Sequence, residues 1–485
     1  MPLIIDKINN KDIEDITLLV TDYEVMKYVG GRKIWDKNKI NKFIKYTLDE
    51  YKNQSKDNIY MKIVDDKGEQ KIFIGLIGIH NYDQNQDNDI DSPSLTIMIS
   101  RRYQGKGIGT EAIKLILDKY HELNKKITHI ISDTLSYNIG AQKSLIKVGF
   151  IYQKIVKRSG KDYKRYHYYF NIHHIVKYDY PYLSHFMNNN ELISRFKKLQ
   201  NYEPYFKQRE KGKFGFDIII NYDIDKEYNR ITDWFTDICR ARCIFKGSKM
   251  TPYDYYQKNK GDILGKSLIN NDFDFDFDYD KFEDVIYNSV KMCNNFQLTI
   301  IMNIYLYFNA KKILDSSAGW GDRLIASIAC GASYTGVDPS TCLSPLYKKI
   351  IKTFEPFVDD KLNFKVIGKP FEEVSKTELG EPNYDIAFTS PPFYDLEIYN
   401  DDGTQSIIGH KTQSDWVKNF LNVLADINIH YLKIGGHFVI YVPEYKEFME
   451  YMKNRKDLEY CGDVIYYYTH DDKKKRKIMV WKKIS

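Results

Sequence analysis

The apolar positions in the first third of the chain follow two periods. Tyr60–Val64 and Ile72–His80 are strand-like runs separated by Asp66-Lys67-Gly68, which predicts a β-hairpin. Leu95–Ile99 predicts another strand. After a glycine-rich turn at 105–109, Glu111–Leu123 takes the three-and-four spacing of an amphipathic helix. Ile127–Ile131, Gly140–Val148 and Phe150–Val156 read as strand, helix and strand, and the aromatic-rich run Tyr163–Phe170 closes the set. Residues 1–172 are expected to form one mixed α/β domain.

Residues 286–485 alternate helix and strand more strictly. Val290–Tyr307 predicts a long apolar helix. Lys312–Leu314, Tyr334–Val337, Asn363–Ile367, Ile386–Thr389 and His437–Val442 predict short strands with helices between, the pattern of a parallel, doubly wound, Rossmann-like sheet. Val464–Thr469 and Ile478–Trp481 predict a closing antiparallel pair. Lys473–Lys477 (KKKRK) falls in its turn, where a solvated hairpin tip and a phosphate-binding patch explain the run equally well.

Between these lies 173–285, expected as a linker, accessory or substrate-recognition region. Ile231–Arg242 predicts an amphipathic helix. Asn271–Asp280 alternates acid and aromatic, which suits a half-buried strand; a surface linker or edge is favoured because its polar half is all acidic. Arg240, Arg242, Lys246, Lys249 and Tyr253–Tyr256 interleave cations with rings. That mixture suits nucleic-acid contact and equally a helical cap over a cofactor.

Composition sharpens this picture in a few places. The 485 residues fit two or three domains, and 43% hydrophobic residues supply their cores. The 41 tyrosines read first as the codon bias of an AT-rich genome. A net charge of +6 permits nucleic-acid contact without requiring it. No apolar run has the length of a membrane span and the start is no signal peptide, so a cytoplasmic protein without membrane contact is expected. Of six cysteines only Cys239 and Cys243 are close, so reduced, mostly buried thiols are expected. No metal site is expected: no second pair completes a zinc set, and adjacent His173-His174 point to different faces. Composition says nothing of oligomeric state.

The first candidate chemistry is Gln104-Gly105-Lys106-Gly107-Ile108-Gly109-Thr110, between a predicted strand and helix. Glycines let successive N–H groups point into one concavity at a helix N-terminus, which suits a pyrophosphate. A glycine-rich turn alone is weak ground. This one resembles the Q/R-x-x-G-x-G/A signature of the GNAT acetyltransferase superfamily. Asn138-Ile139-Gly140-Ala141, Leu145 and Gly149-Phe150 resemble its second signature, and Leu19–Gly31 is similar to the start of the ribosomal-protein alanine acetyltransferases.

The resemblance covers 1–172 and implies acetyl-CoA as cofactor with an unidentified amine as acceptor. It implies that Gln104, Gly105, Lys106, Gly107, Ile108, Gly109 and Thr110 surround the pyrophosphate. Met98 and Ile99 would line the pantetheine arm, and Asn138 would sit beside the thioester. The amine would attack acetyl-CoA directly, with a backbone N–H polarising the carbonyl. Leu145 stands where many members carry a tyrosine acid, and Leu95–Ile99 holds no carboxylate base. Either an acid elsewhere works through water, or Tyr137 or Ser136 assists, or turnover is modest; a non-catalytic CoA-binding dock is the plainer alternative.

The second candidate chemistry begins at Asp315-Ser316-Ser317-Ala318-Gly319-Trp320-Gly321-Asp322. This D-x-x-A-G-x-G-D run resembles the first motif of class I methyltransferases, which implies S-adenosylmethionine as cofactor. Asp315, Ser316, Ala318, Gly319, Gly321 and Asp322 would contact it, and Asp338, ending the next strand, would take its ribose hydroxyls. A plain Rossmann nucleotide site is the alternative; the lack of G-x-G-x-x-G disfavours NAD.

Ser390-Pro391-Pro392-Phe393 resembles the [D/N/S]-P-P-[Y/F/W] motif of exocyclic-amine methyltransferases, and the TSPP form resembles cytosine-N4 and some adenine-N6 DNA enzymes. An exocyclic NH2 is a poor nucleophile because its lone pair is delocalised. Ser390 and the Pro391 carbonyl can each accept one N–H, freeing that pair. Two prolines fix the carbonyl, and Phe393 offers a stacking face. A duplex base would have to flip out to reach it. A proline pair merely ending a strand is the structural alternative. The continuation Tyr394–Tyr399, with Gln405-Ser406 and Trp416, is similar to phage-type DNA methylase-like proteins. Nucleic acid, DNA first, is the implied acceptor; a protein amide, RNA or amino sugar are the rivals. No inserted recognition domain fits around the motif.

Overall fold

In the computed structural model the chain divides into two compact units. One is Met1–Asp179 with Tyr256–Val285; the other is Tyr180–Tyr255 with Ile286–Ser485. The described residues are all but 1–2, 30–32, 69–70, 82–91, 125–126, 128, 159, 171–174, 176–177, 209–215, 221, 272–273, 400–404 and 469–470. His173-His174 and Gly30-Gly31 therefore lie outside them. Residues 173–285 are shared between the two units. Among the described residues no helix is long and apolar enough to cross a membrane.

The first unit is built on a seven-stranded sheet. Its order is Leu3–Lys7, Ile59–Asp66, Lys71–Asn81, Pro93–Ile99, His129–Leu135, Lys161–Tyr169, Ile151–Arg158. The predicted hairpin is present, with Asp66 accepting from the Gly68 N–H (2.9 Å) at its turn. Neighbours are antiparallel except Pro93–Ile99 and His129–Leu135. These run parallel and share one register pair, Ser94 with Ile131. The helix Ile108–Leu123 buries Ile108, Ala112, Ile113, Ile116, Leu117 and Tyr120, the stripe its spacing predicts. On the opposite sheet face, Ile16, Leu19, Val20, Ile40 and Ile44 pack with Leu76 and Met98.

The acid–aromatic run departs from the linker reading. Asp274–Phe277 pairs with Leu268–Asn271 as a hairpin, and Tyr279–Ser289 is a helix. The period of two is that of a strand, and buried Phe282 (1% exposed) gives the ring of Phe277 a partner.

The second unit holds a nine-stranded sheet. Its order is Phe364–Ile367, Ser333–Val337, Lys312–Asp315, Tyr384–Thr389, Leu432–Ile440, Asp471–Lys483, Leu458–Tyr468, Phe216–Ile220, Phe206–Gln208. The first five strands are parallel and Asp471–Lys483 is antiparallel to its neighbours. The chain builds outward from Lys312–Asp315 to one side, then returns to its other side, so the order reverses between Lys312–Asp315 and Tyr384–Thr389. Residues of the 173–285 stretch extend the far edge: Phe216–Ile220 pairs parallel to Leu458–Tyr468. The helix Asn189–Gln200 stacks Phe196 on Phe354 (4.0 Å).

Three expectations change here. The helix predicted over Val290–Tyr307 spans only Leu298–Tyr307. Ahead of it, Asn295 donates to Asp233 (2.8 Å) and the Phe296 N–H to Asp322 (3.1 Å), so side chains replace helical partners. Lys473–Lys477 lies within the strand Asp471–Lys483, not in a turn, with Arg476 opposite Tyr466 and Lys477 opposite Ile465. Cys239 and Cys342 are not free thiols: they form a disulfide across 103 residues, Cα atoms 6.1 Å apart. Spacing along the chain could not reveal that pair.

Candidate functional sites

In the first unit, the strand Pro93–Ile99 leads into a short turn at Arg101–Tyr103 and then the glycine loop. Gln104 donates its side-chain amide to the Ile99 carbonyl (2.9 Å), tying the loop to the strand end. Gly107 sits at φ +81°, the left-handed region, as N-cap of Ile108–Leu123. Among the described residues, the N–H groups of Gly105, Lys106, Gly107, Ile108 and Gly109 meet no protein acceptor, and residues 104–107 are exposed. Thr110 donates its N–H back to the Gly107 carbonyl (3.0 Å), so it turns inward. This is a row of open donors at a helix N-terminus.

Met98 and Ile99 end the strand beyond its single register pair with His129–Leu135. Met98 is buried and Ile99 half-buried. A Cβ on Gly75 would lie 2.1 Å from the Met98 carbonyl oxygen, so that glycine permits the close approach of the two strands. Asn138 caps Ile139–Val148, accepting from the Ala141 N–H (3.2 Å). The turn that presents it is held by Gln142, whose amide donates to the carbonyls of Leu135 (3.2 Å) and Ser136 (2.9 Å). Leu145 is core, and Tyr137 is exposed.

In the second unit, Asp315 ends its strand fully buried. Its carboxylate accepts from Arg323 Nε (2.7 Å), Tyr334 (2.6 Å) and the Ser317 N–H (3.1 Å). It shapes the turn from below. Arg323, although burial opposes its charge, is held charged by Asp315. Ser316 accepts from Asn428 (2.9 Å). The Ala318 N–H donates to the Val337 carbonyl (2.9 Å) and the Gly319 N–H to Asp338 (2.8 Å). Ser340 N–H reaches the other Asp338 oxygen (2.9 Å). Burial raises the Asp338 carboxyl to about 6. Gly321 is N-cap of Asp322–Ala329, and Asp322, also raised to about 6 by burial, accepts from Phe296.

Ser390-Pro391-Pro392-Phe393 follows the adjacent parallel strand. Ile313 pairs with Ile386 and Leu314 with Ala387. Both motifs thus leave the same C-terminal sheet edge from neighbouring strands, at the point where the order reverses. Such a crevice is where open α/β sheets bind ligands. Tyr394, next after Phe393, is a non-glycine residue at φ +53°. That conformation costs about 1 kcal/mol or more and needs surroundings that enforce it. Its ring rests on buried Trp416 (5.9 Å), and Ile244–Phe245 pairs with Glu397–Ile398 as a two-stranded ladder just beyond. Tyr399 then meets Trp320 of the glycine turn, ring centres 5.7 Å apart.

The family model described as an acetyltransferase (GNAT) domain matches residues 3–151. The N-terminal unit carries a GNAT acetyltransferase domain. Among solved structures, the chain is similar to a GNAT-family acetyltransferase from Bacillus anthracis, 21% identical, covering 35% of this chain and 95% of that one, TM-score 0.29. It is also similar to spermidine N-acetyltransferase from Vibrio cholerae in complex with CoA and spermine, 17% identical, covering 35% and 97%, TM-score 0.29. A third is ribosomal-protein-S5-alanine acetyltransferase from Vibrio fischeri, 17% identical, covering 34% and 92%, TM-score 0.29. No curated protein sequence matches the chain.

Within the GNAT domain the sequence reading missed Gln142, although it sits four residues from Asn138 in the signature. It also missed Asp133, which accepts from fully buried Arg165 (3.0 Å) and fixes the strand leading to that turn. In the second unit it grouped Arg240 with residues suited equally to nucleic-acid contact and to a helical cap over a cofactor. Arg240 is instead 5% exposed and paired with Asp233 (2.7 Å) and Asp237 (2.6 Å), so it faces no solvent. Lys246 pairs with Asp395 (2.7 Å), and the Arg242 guanidinium covers Tyr253 (3.9 Å). Glu397 was also missed. It is half-buried, desolvation raises its carboxyl, and it accepts from Tyr399.

Proposed function

We propose that the chain joins two transferases: an acetyl-CoA-dependent N-acetyltransferase, and an S-adenosylmethionine-dependent methyltransferase acting on an exocyclic amine of a nucleobase, DNA cytosine-N4 or adenine-N6 first. The GNAT domain supports the first. Its open N–H row fits a pyrophosphate, and acetyl-CoA when bound supplies an activated acetyl group. Gly105–Gly109 donate to the phosphates, and Asn138 fixes the turn facing the strand end.

The second reading rests on one observation above all: the glycine turn and the Ser-Pro-Pro-Phe segment leave adjacent parallel strands at the same edge. The strand order, with an antiparallel strand inserted last, is that of class I methyltransferases and adds support. The residues fit the cofactor: Asp338 and Ser340 end one strand while the Gly319–Gly321 backbone approaches from the next. S-adenosylmethionine when bound supplies an electrophilic methyl group. Ser390 Oγ and the Pro391 carbonyl accept the two N–H bonds of the acceptor amine, and Phe393 supports its ring. Ladder and ring contacts around Tyr394 hold that geometry before an acceptor arrives.

The test is Ser390→Ala in the full chain. Methyl transfer to DNA should fall by about 100-fold or more, on the scale of losing a transition-state hydrogen bond, while calorimetric affinity for S-adenosylmethionine holds within a factor of two or three. Unchanged transfer overturns the assignment.

A further inference from the structure

Cys342 lies four residues past Asp338, in the turn that leads from the strand Ser333–Val337 to the helix Ser344–Phe354. This turn carries the acid assigned to the cofactor ribose. Within it the Ser340 N–H donates to Asp338 (2.9 Å), the Leu343 N–H to the Ser340 hydroxyl (3.4 Å) and the Ser344 N–H to the Ser340 carbonyl (3.1 Å). The Cys239–Cys342 disulfide joins the turn to the end of the helix Tyr222–Arg240.

The two ends of that bond differ. Cys239 is 4% exposed, and the next residue, Arg240, is pinned by Asp233, Asp237 and Asn295. Just beyond, Ile244–Phe245 pairs with Glu397–Ile398, past the Ser-Pro-Pro-Phe segment, and the Lys246 N–H donates to the Leu396 carbonyl (2.7 Å). Packing therefore fixes Cys239 whether or not the bond exists. Cys342 is exposed, so a dissolved thiol can reach its sulfur. Breaking the bond leaves the helix in place and frees the turn.

We propose that the Cys239–Cys342 disulfide is a redox latch on the cofactor turn: oxidised, it holds the Asp338–Leu343 turn in the binding geometry; reduced, it releases it. The consequence for S-adenosylmethionine rests on the methyltransferase reading. In the reduction a thiolate of an external dithiol attacks Cys342 Sγ, the S–S bond breaks, and Cys239 leaves as a thiolate and takes a proton. The second thiolate of the reductant then displaces Cys342 from the mixed disulfide, and Cys342 takes a proton. Two electrons pass from the dithiol to the pair, leaving two protein thiols and the reductant's own disulfide. A turn that keeps the binding geometry for roughly a tenth to a third of the time weakens apparent cofactor affinity about 3- to 10-fold.

The experiment compares the full chain in oxidised glutathione and in dithiothreitol. Calorimetric affinity for S-adenosylmethionine should be about 3- to 10-fold weaker in dithiothreitol. Hydrogen exchange of residues 338–347, read by mass spectrometry without cofactor, should be faster there. Cys342→Ser should bind and exchange like the reduced parent in both reagents. Its melting temperature should equal the reduced parent's, which separates a lost tie from lost folding. Equal, measurable affinity of the parent in the two reagents overturns the proposal. So does unchanged exchange, or a Cys342→Ser chain that still responds to dithiothreitol, since the effect would then come from another thiol. Exchange that responds to reduction in a parent that binds no S-adenosylmethionine in either reagent would remove the methyltransferase reading and leave the latch on the turn standing.

Discussion

Gly319 donates its backbone N–H to Asp338 at 2.8 Å, making the glycine turn and the acid of the next strand one structural piece. Asp338→Ala removes both that tie and the acceptor assigned to the cofactor ribose. Calorimetry should show S-adenosylmethionine affinity falling by about 10- to 100-fold, the scale of one to two strong hydrogen bonds. Asp338→Asn keeps one acceptor oxygen and should fall between. Equal affinity for all three would remove Asp338 from the site.

Asp225 should set part of the pH dependence of the second unit. It is buried, bonded by Thr299 (2.6 Å) and Asn229 (3.1 Å), and burial raises its carboxyl to about 7. The folded state then holds a proton that the unfolded chain has lost above about pH 4. Asp225 therefore costs stability as pH rises from about 4 to 7, and the full cost is present above 7. Between pH 5 and 8 the parent should lose more melting temperature than Asp225→Asn. Parallel pH curves would contradict this.

Two glycines of the GNAT domain should respond differently to alanine. At Gly75 the new methyl would meet the Met98 carbonyl oxygen, so the strands must part; a loss of several kcal/mol in chemical unfolding is expected. At Gly107 the space is open and only the left-handed backbone objects, at about 1 kcal/mol. Gly107→Ala should instead weaken CoA binding, read by calorimetry, because it lies among the open N–H groups.

Thiol counting tests the disulfide. Denatured without reductant, the chain should yield four free thiols, those of Cys243, Cys293, Cys330 and Cys461, and six after reduction. Six without reductant would return Cys239 and Cys342 to the thiol state.

Local periodicity made most strands legible, as did the two glycine turns, because those signals lie within ten or so residues. What could not be read depends on contacts across the chain. Cys239 meets Cys342 only after Tyr222–Arg240 packs in the second unit. Arg240 read as a candidate contact residue because its helix partners Asp233 and Asp237, with the distant Asn295, enclose it only once that helix packs. Residues 291–297 looked helical by apolar content, but Asp233 and Asp322 draw their polar groups out of the helix. At the candidate methyl site, Ser390–Phe393 stood out as a motif, whereas Tyr441 meets Phe393 only through the sheet.

The central claim is that Ser390 and Pro391 activate an exocyclic amine on a nucleobase. The direct measurement is a nucleoside mass spectrum of DNA incubated with the full chain and labelled S-adenosylmethionine, alongside RNA and protein extract. The account predicts N4-methylcytosine or N6-methyladenine in the DNA, absent with Ser390→Ala. Label found only in protein would contradict it.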